Sequence, residues 1–277
     1  MLLPDADADA LADRILAAAD RAASIPPVTD ERQDFDLSAA YQVSSRITRR
    51  RIARGERPVG WKIGFTNTTI WDEYGVHAPI WGPMYASTVA ETGASAGPGA
   101  CPIGPLVEPR IEPEIAFRMA ALPHPGMDDR ELLSTVGAVA HGFEIVQSVF
   151  PGWRFRAADT VAAFALHGCY RHGPFVAVGA ADRERWLSML AGFAIALDRN
   201  GVEVDRGIAA NVLGGGPLTA LRALVNGLSD YPAGYDLRVG DIVTTGTVTR
   251  AFPVSAGERW STRLTRLPLP GMDLRLV

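Results

Sequence analysis

Glycine and proline divide this chain in two. It holds 28 glycines and 20 prolines, and most of both lie after Gly60. Both residues punctuate regular structure and serve turns, so the chain beyond residue 60 is expected to form turn-rich β structure. The first sixty residues read as helix. Asp7 to Ala23 is rich in Ala and Leu and stops before Pro26-Pro27, which cannot continue a helix. Asp36 stands where an N-cap belongs, ahead of a helix over Leu37 to Arg54. Tyr41, Val43, Ile47 and Ile52 give that helix an apolar stripe. Arg46, Arg49, Arg50, Arg51 and Arg54 crowd the remainder, a pattern that reads as a solvated or interface face.

Past Gly60 the pattern shortens. Trp61 to Phe65 is strand-like, 66–74 a short helix, and Arg110 to Met119 alternates as a strand should. Residues 128–136 read as a helix with acids in its first turn. Phe193 to Leu197 and the segment through Glu203 form two strands joined by an Asn200-Gly201 turn. Pro217 to Leu228 is helical, and Asp241 to Thr245 and Ala251 to Val254 are strands. The expected class is α+β, mostly β, with a helical subdomain over 1–59 ahead of a catalytic domain over 60–277.

Composition narrows the function. With 277 residues, 47% of them hydrophobic, the chain can bury a sizeable core, which excludes a disordered protein. Thirty-one acids against 27 Lys and Arg, a net charge of -4, argue against a nucleic-acid partner. No apolar run approaches the length of a membrane span and no secretory signal opens the chain, so a cytoplasmic protein without membrane contact is expected. Cys101 and Cys169 are too few for a disulfide framework or a thiolate zinc site and read as buried thiols in a reducing compartment.

The sharpest chemical feature is Glu112-Pro113-Glu114 within RIEPEIAFRM. On a strand, residues i and i+2 point to one face, and two buried carboxylates side by side demand a cation. Glu144, in HGFEIV, is a third carboxylate in apolar surroundings. Three carboxylates without cysteine would select Mg²⁺ or Mn²⁺ over Zn²⁺. ExE is a weak pattern, and the spacing alone fits glutamates that pair with surface arginines better than a metal site. Lys62, inside WKIGF, is either a snorkelling strand-end lysine or a clamp for a substrate oxyanion. His167, in AAFALHG, is either a satisfied core histidine or a catalytic base. Gly214-Gly215-Gly216-Pro217 opens a helix as a tight turn or an anion site, and it is no P-loop. No GxSxG elbow occurs.

Seven segments together resemble the 2-oxopent-4-enoate (2-keto-4-pentenoate) hydratase and 4-oxalocrotonate decarboxylase family of the fumarylacetoacetate hydrolase superfamily. They are 61–82, 109–119, 143–148, 157–168, 199–207, 210–228 and 239–258, in the family's order. The resemblance implies a β-roll or barrel with an N-terminal helical region. It implies Mg²⁺ or Mn²⁺ held by Glu112, Glu114 and Glu144, with Lys62 and His167 in catalytic roles. It implies substrate contacts from Gly64, Thr66, Trp81, Phe164, Gly215, Thr245 and Gly246. The implied activity is hydration of a 2-hydroxy-2,4-dienoate in aromatic-compound catabolism. Decarboxylation, tautomerisation or C–C hydrolysis of a related 2-oxo acid are the alternatives, and a non-catalytic partner subunit is a further one. The resemblance also implies a homo-oligomer, possibly complexed with a decarboxylase. Ile80, Gln147, Phe164 and Leu166 depart from the family's usual Asp, Asp, Asn and Ser, which affects the proton-transfer groups and leaves the metal ligands intact.

Overall fold

A computed structural model describes residues 2–92, 98–230 and 235–277. Three helices open the chain: α1 (Asp5–Asp20), α2 (Val28–Glu31) and α3 (Leu37–Ala53). The Asp36 side chain accepts from the Ala39 N–H at 2.9 Å, so the expected N-cap forms. The arginine run on α3 faces the acids of α1. Arg50 reaches Asp9 at 2.9 Å and Asp13 at 2.6 Å, Arg54 reaches Asp20 at 2.8 Å, and Arg46 pairs with Asp5. Acids at 5, 9 and 13 recur every four residues, one turn of helix, and this spacing matches the basic face. The interface expected of that face is therefore internal. Being largely exposed, each pair contributes less than about 1 kcal/mol, and the apolar sides of the two helices carry the packing.

Strands follow in chain order: β1 (Pro58–Gly64), β2 (Ile80–Tyr85), β3 (Val89–Glu91), β4 (Gly99–Cys101), β5 (Arg110–Met119), β6 (Val136–Val146) and β7 (His167–His172). Then come β8 (Val176–Ala177), β9 (Ala194–Arg199), β10 (Val202–Ile208), β11 (Ile242–Thr247), β12 (Phe252–Pro253), β13 (Arg259–Thr265) and β14 (Asp273–Leu276). The main sheet runs β2-β1-β11-β5-β6-β7-β3, with β12 added to β5 and β8 to β6. A second sheet runs β10-β9-β13-β14-β4. The sequence reading located β1, β5, β11 and the β9–β10 hairpin within a few residues. It missed β2, β6 and β7, which are buried on both faces and so lack the clean apolar–polar alternation of a half-buried strand. At the hairpin tip Asn200 and Gly201 both have positive φ, 51° and 82°, the geometry of the expected turn.

β5 lies at the centre of the main sheet, and nine of its ten residues are buried or half-buried. Pro113 stands between Ile111, which pairs with β12, and Glu114, which pairs with β11. Its missing N–H falls where the strand changes partner. One continuous core joins residues of α1 and α3, such as Ile15 and Val43, to Ile63, Ile115 and Phe117 of the sheet. The expected boundary at residue 59 falls inside β1. Asp159 ties the N-terminal segment down further, accepting from Thr29 N at 3.0 Å, Thr29 Oγ1 at 2.7 Å and Arg156 N at 2.8 Å. Asp159→Ala leaves the two Thr29 donors buried and unpaired and is expected to lower stability by about 3 kcal/mol in a denaturant melt; a change below about 0.5 kcal/mol would contradict it. Among the described residues no helix is long and apolar enough to cross a membrane.

His141 on β6 joins the two sheets. Its Nδ1–H donates to the Glu114 carbonyl at 2.9 Å, and its Nε2 lies 2.8 Å from Thr262 Oγ1 on β13. Burial pushes the imidazole down from 6.5 to about 4. The folded protein keeps it neutral, whereas the unfolded chain takes up a proton near 6.5. Its contribution is therefore complete above pH 6.5 and is lost as pH falls toward 4, by up to about 3 kcal/mol. Thermal melts from pH 7.5 to 5 should show wild type losing more stability than His141→Gln over that window. Parallel pH profiles would refute the assignment.

Candidate active site

The β5–β6 register builds the site. Glu112 pairs with Glu144 and Glu114 with Gly142, so all three carboxylates project from one face of two adjacent strands. A carboxylate oxygen from each lies within 4.8 Å of the others. Glu114 and Glu144 are fully buried, whereas Glu112 is half-buried and lines a cavity. Lys62 Nζ, from β1, lies 3.2 Å from Glu144 Oε2 and donates to the Ala165 carbonyl at 2.9 Å. It is thus a buried cation held by the carboxylates and not a snorkelling one.

Two backbone devices set this arrangement. The β11–β5 register shifts between Thr244 and Thr247, and this bulge turns the Gly246 N–H onto Glu114 Oε2 at 2.9 Å. Gly246 has φ of +81°, and a Cβ there would lie 1.8 Å from Thr66 Oγ1, so both conformation and contact require glycine. Opposite, Phe164, Ala165 and Leu166 adopt φ of 61°, 49° and 64°. Three consecutive left-handed residues cost about 1 kcal/mol or more each. The turn they form aims the Ala165 carbonyl at the lysine.

The charges are strongly interdependent. Burial works against the Lys62 ammonium, but Glu144, Glu112 and Glu114 outweigh it and hold the lysine protonated. Burial raises Glu112 to about 7, with Lys62 opposing and Glu144 adding to the rise. Glu114 goes well above the ordinary carboxylate range through burial and the repulsion of Glu144 and Glu112. Glu144 is pushed up by burial yet ends below that range, held by Lys62 and His167. One cation and three carboxylates leave the cluster short of positive charge. Glu114 Oε1 has no hydrogen-bond partner, and Glu144 Oε2 accepts no well-aligned hydrogen bond from Lys62. Orphaned buried carboxylate oxygens in an all-oxygen set fit a hard divalent cation such as Mg²⁺ or Mn²⁺.

The other expected site residues divide. Gly64, Thr66 and Gly246 line the cavity together with Lys62 and Glu112. Trp81 does not: it stacks on Tyr41 at 5.4 Å, against α3. Phe164 is buried with its ring near the Arg51 guanidinium, and Gly215 sits in the turn before the 217–227 helix, both off the cavity wall. The Thr245 hydroxyl is spent on the Ile115 carbonyl at 2.9 Å. His167 is buried behind Glu144. Its Nδ1 lies 2.7 Å from Glu144 Oε1 and its Nε2 2.9 Å from Thr88 Oγ1. Both nitrogens are engaged, so its geometry is that of a residue orienting Glu144. Gln147 likewise braces the backbone, bonding Val107 N and the His167 carbonyl, and Ile80 lies on an outer groove.

Two features escaped the sequence reading. Tyr170 pairs with Glu144 across β6–β7, and its ring fills the space that Gly142 leaves, since a Cβ there would meet its Cζ at 2.6 Å. Its hydroxyl is buried without a partner. A glycine inside an apolar strand was the available signal of close approach. Tyr74, at the end of a short helix over 71–74, faces the cavity as well, beside Trp153, one of the aromatics (with Trp71, Trp81 and Phe164) that the sequence offers for a pocket wall; no local pattern brings Tyr74 and Trp153 together.

Fold and site together define an enzyme scaffold that presents a three-carboxylate cluster able to hold a metal ion, and a buried lysine, at one small cavity. No family model matches the chain. It is 31% identical over 248 residues to the 2-hydroxyhexa-2,4-dienoate hydratase of Comamonas testosteroni, covering 89% of each chain. It is 30% identical over 240 residues to a 4-oxalocrotonate decarboxylase of Pseudomonas sp., covering 86% of each. The structure of 4-oxalocrotonate decarboxylase from Pseudomonas putida G7, complexed with magnesium and adipate, superposes with a TM-score of 0.87 at 27% identity, over 99% of each chain. The chain belongs to the 2-keto-4-pentenoate hydratase/4-oxalocrotonate decarboxylase family of the fumarylacetoacetate hydrolase superfamily.

Proposed function

We propose that the protein is a divalent-metal-dependent hydro-lyase that adds water to a 2-hydroxy-2,4-dienoate or its 2-oxo-4-enoate tautomer, an intermediate of aromatic-compound breakdown. The observation that carries this reading is the meeting of the Glu112–Glu114–Glu144 cluster with protonated Lys62, with Glu112 and Lys62 lining one cavity. A Mg²⁺ or Mn²⁺ ion held by the three glutamates supplies, when bound, Lewis-acid charge for the carboxylate and 2-oxygen of such an acid. Lys62 adds fixed positive charge beside that oxygen. The Ala165 carbonyl and Glu144 keep the amine in place, and His167 keeps Glu144 in place. Thr66 and Asn67 donate to the backbone carbonyls of Thr245 and Thr249, so they shape the polar wall and do not act as bases.

A second reading, decarboxylation of a vinylogous oxo acid, draws support from Val146 and Leu166. They line the wall with carbon, and among the described residues beside them on that wall none carries a side-chain base. Loss of the ultraviolet absorbance of 2-hydroxypenta-2,4-dienoate, with Mg²⁺ or Mn²⁺ and then with a chelator, tests the first reading. CO₂ release from 4-oxalocrotonate tests the second. Metal-dependent absorbance loss without CO₂ release is expected. The reverse pattern assigns the decarboxylase, and no turnover of either compound sinks the proposal.

A further inference from the structure

The two cysteines of the chain meet behind the site. Cys101 closes β4, at the end of the second sheet, where it pairs with Leu276 of β14. Cys169 lies on β7 of the main sheet, opposite Ile145 of β6. Successive side chains of a strand point to opposite faces. Glu144 and its partner Tyr170 lie on the face of the glutamate cluster, so Ile145 and Cys169 face the second sheet. There both free thiols are buried in one apolar cluster with Phe143, Trp260 and Leu274. Their Sγ atoms lie 3.6 Å apart across the two sheets, although the residues are 68 positions apart in sequence. A hydrogen bond from the Cys169 thiol lowers Cys101 to about 7 against burial, and Arg171, on the same face of β7, assists. Cys101 and burial together push Cys169 above the ordinary thiol range. One sulfur is thus poised as a nucleophile and the other as its resolving thiol.

We propose that Cys101 and Cys169 are a peroxide-oxidisable pair whose disulfide locks the second sheet to the back of the β6–β7 pair. The Cys101 thiolate attacks one oxygen of hydrogen peroxide and the O–O bond breaks. The other oxygen leaves as hydroxide, takes up the proton that Cys101 gave up and becomes water, and a sulfenic acid remains on Cys101. The Cys169 sulfur then attacks that sulfenic sulfur, and the oxygen leaves with the Cys169 proton as a second water. Each sulfur gives up one electron, and the peroxide takes up two. A disulfide is about 2 Å long, so the sulfurs must approach by roughly 1.5 Å. β7 is held on both sides, by β6 and β3. Among the described residues β4 is a three-residue strand that pairs with β14 alone. The movement therefore falls on β4, and Glu144, on the opposite face of the main sheet, keeps its place. Local opening of the same short end strand admits peroxide to the buried thiols. The lock is independent of the reaction performed at the cavity.

Hydrogen peroxide treatment of the whole chain, followed by unfolding, alkylation and mass spectrometry, tests this. The expected product has lost two hydrogens, resists iodoacetamide until it is reduced, and yields a cross-linked peptide pair containing Cys101 and Cys169. Closing so long a loop in the unfolded chain should raise the melting temperature by about 5 °C or more, and dithiothreitol should reverse the rise. Mn²⁺ affinity, read by electron paramagnetic resonance, should change by less than about 2-fold. Cys101→Ala and Cys169→Ala, each compared with its own untreated sample, should show no rise. Two alkylatable thiols after peroxide, a disulfide between two chains, or a sulfinic acid on Cys101 beside a free Cys169 overturns the pairing. A rise that persists in either folded variant belongs to another residue and overturns it as well. A disulfide that leaves the melting temperature unchanged, or that abolishes Mn²⁺ binding, overturns the lock.

Discussion

Glu114→Gln is expected to abolish Mg²⁺- or Mn²⁺-dependent turnover while leaving the metal-free protein as stable as wild type or slightly more so. Glu114 shares its face with Glu112 and lies near Glu144, and their repulsion together with burial holds its carboxyl well above the ordinary range. A neutral amide of the same shape removes repulsion and can still accept from the Gly246 N–H, which Glu114 Oε2 accepts at 2.9 Å. The metal-free fold therefore loses nothing and gains about 1 kcal/mol at most. Metal affinity should fall by about 100-fold or more, because a neutral amide replaces a charged oxygen ligand. Mn²⁺ titration followed by electron paramagnetic resonance reads the affinity, and thermal melts with and without Mg²⁺ read the stability. A structural role for the glutamates predicts the opposite: destabilisation with unchanged metal affinity. Retention of Mn²⁺ affinity within about threefold would sink the metal-site assignment.

Replacing Lys62 should have the converse signature. Lys62→Met preserves length and removes the buried ammonium set among the three carboxylates. Breaking a buried pair by removing one partner costs about 3–5 kcal/mol. Most of that should appear at pH 8. At pH 6 the glutamates can take up protons in place of the lysine, so the loss should be smaller. A divalent ion supplies the missing charge, so the Mg²⁺-induced rise in melting temperature should exceed that of wild type. Turnover should still fall by roughly 100-fold, because the fixed charge beside the substrate oxygen is gone. A variant with wild-type stability at pH 8 would show that Lys62 does not neutralise the cluster. Wild-type turnover would remove it from the chemistry.

Much of this was legible before any coordinates. Asp36 as N-cap, the strand over Arg110–Met119 and the Asn200-Gly201 turn each depend on a few adjacent residues, so local pattern located them. The ExE pair was legible for the same reason: period two puts Glu112 and Glu114 on one face of any strand. Glu144 was singled out only as a carboxylate in apolar surroundings. That it completes the cluster follows from the β5–β6 register, a property of two strands separated by a helix. His167 shows how local reading misleads. Its apolar neighbours fit either a core residue or a base, and only the packing of β7 against β6 aims both nitrogens away from the cavity. Trp81 was expected at the substrate because it lies in a matching segment, yet β2 turns it onto Tyr41 of α3.

By itself, then, the sequence determined the α+β class, the helical front end, the ExE pair on one strand face and the family. Those properties are carried by propensity, by strand period and by motifs in order along the chain. Tertiary structure alone decided that Glu144 and Lys62 meet the ExE pair, that three left-handed residues hold the lysine, and that Tyr74 and Trp153, from distant segments, meet at the cavity wall. These are contacts between residues about 30 to 100 positions apart, such as Lys62 with Ala165 and Glu144. Contacts over such separations are set by register and packing, and a one-residue slip in either strand of the β5–β6 pair would send its carboxylates to the opposite face of the sheet.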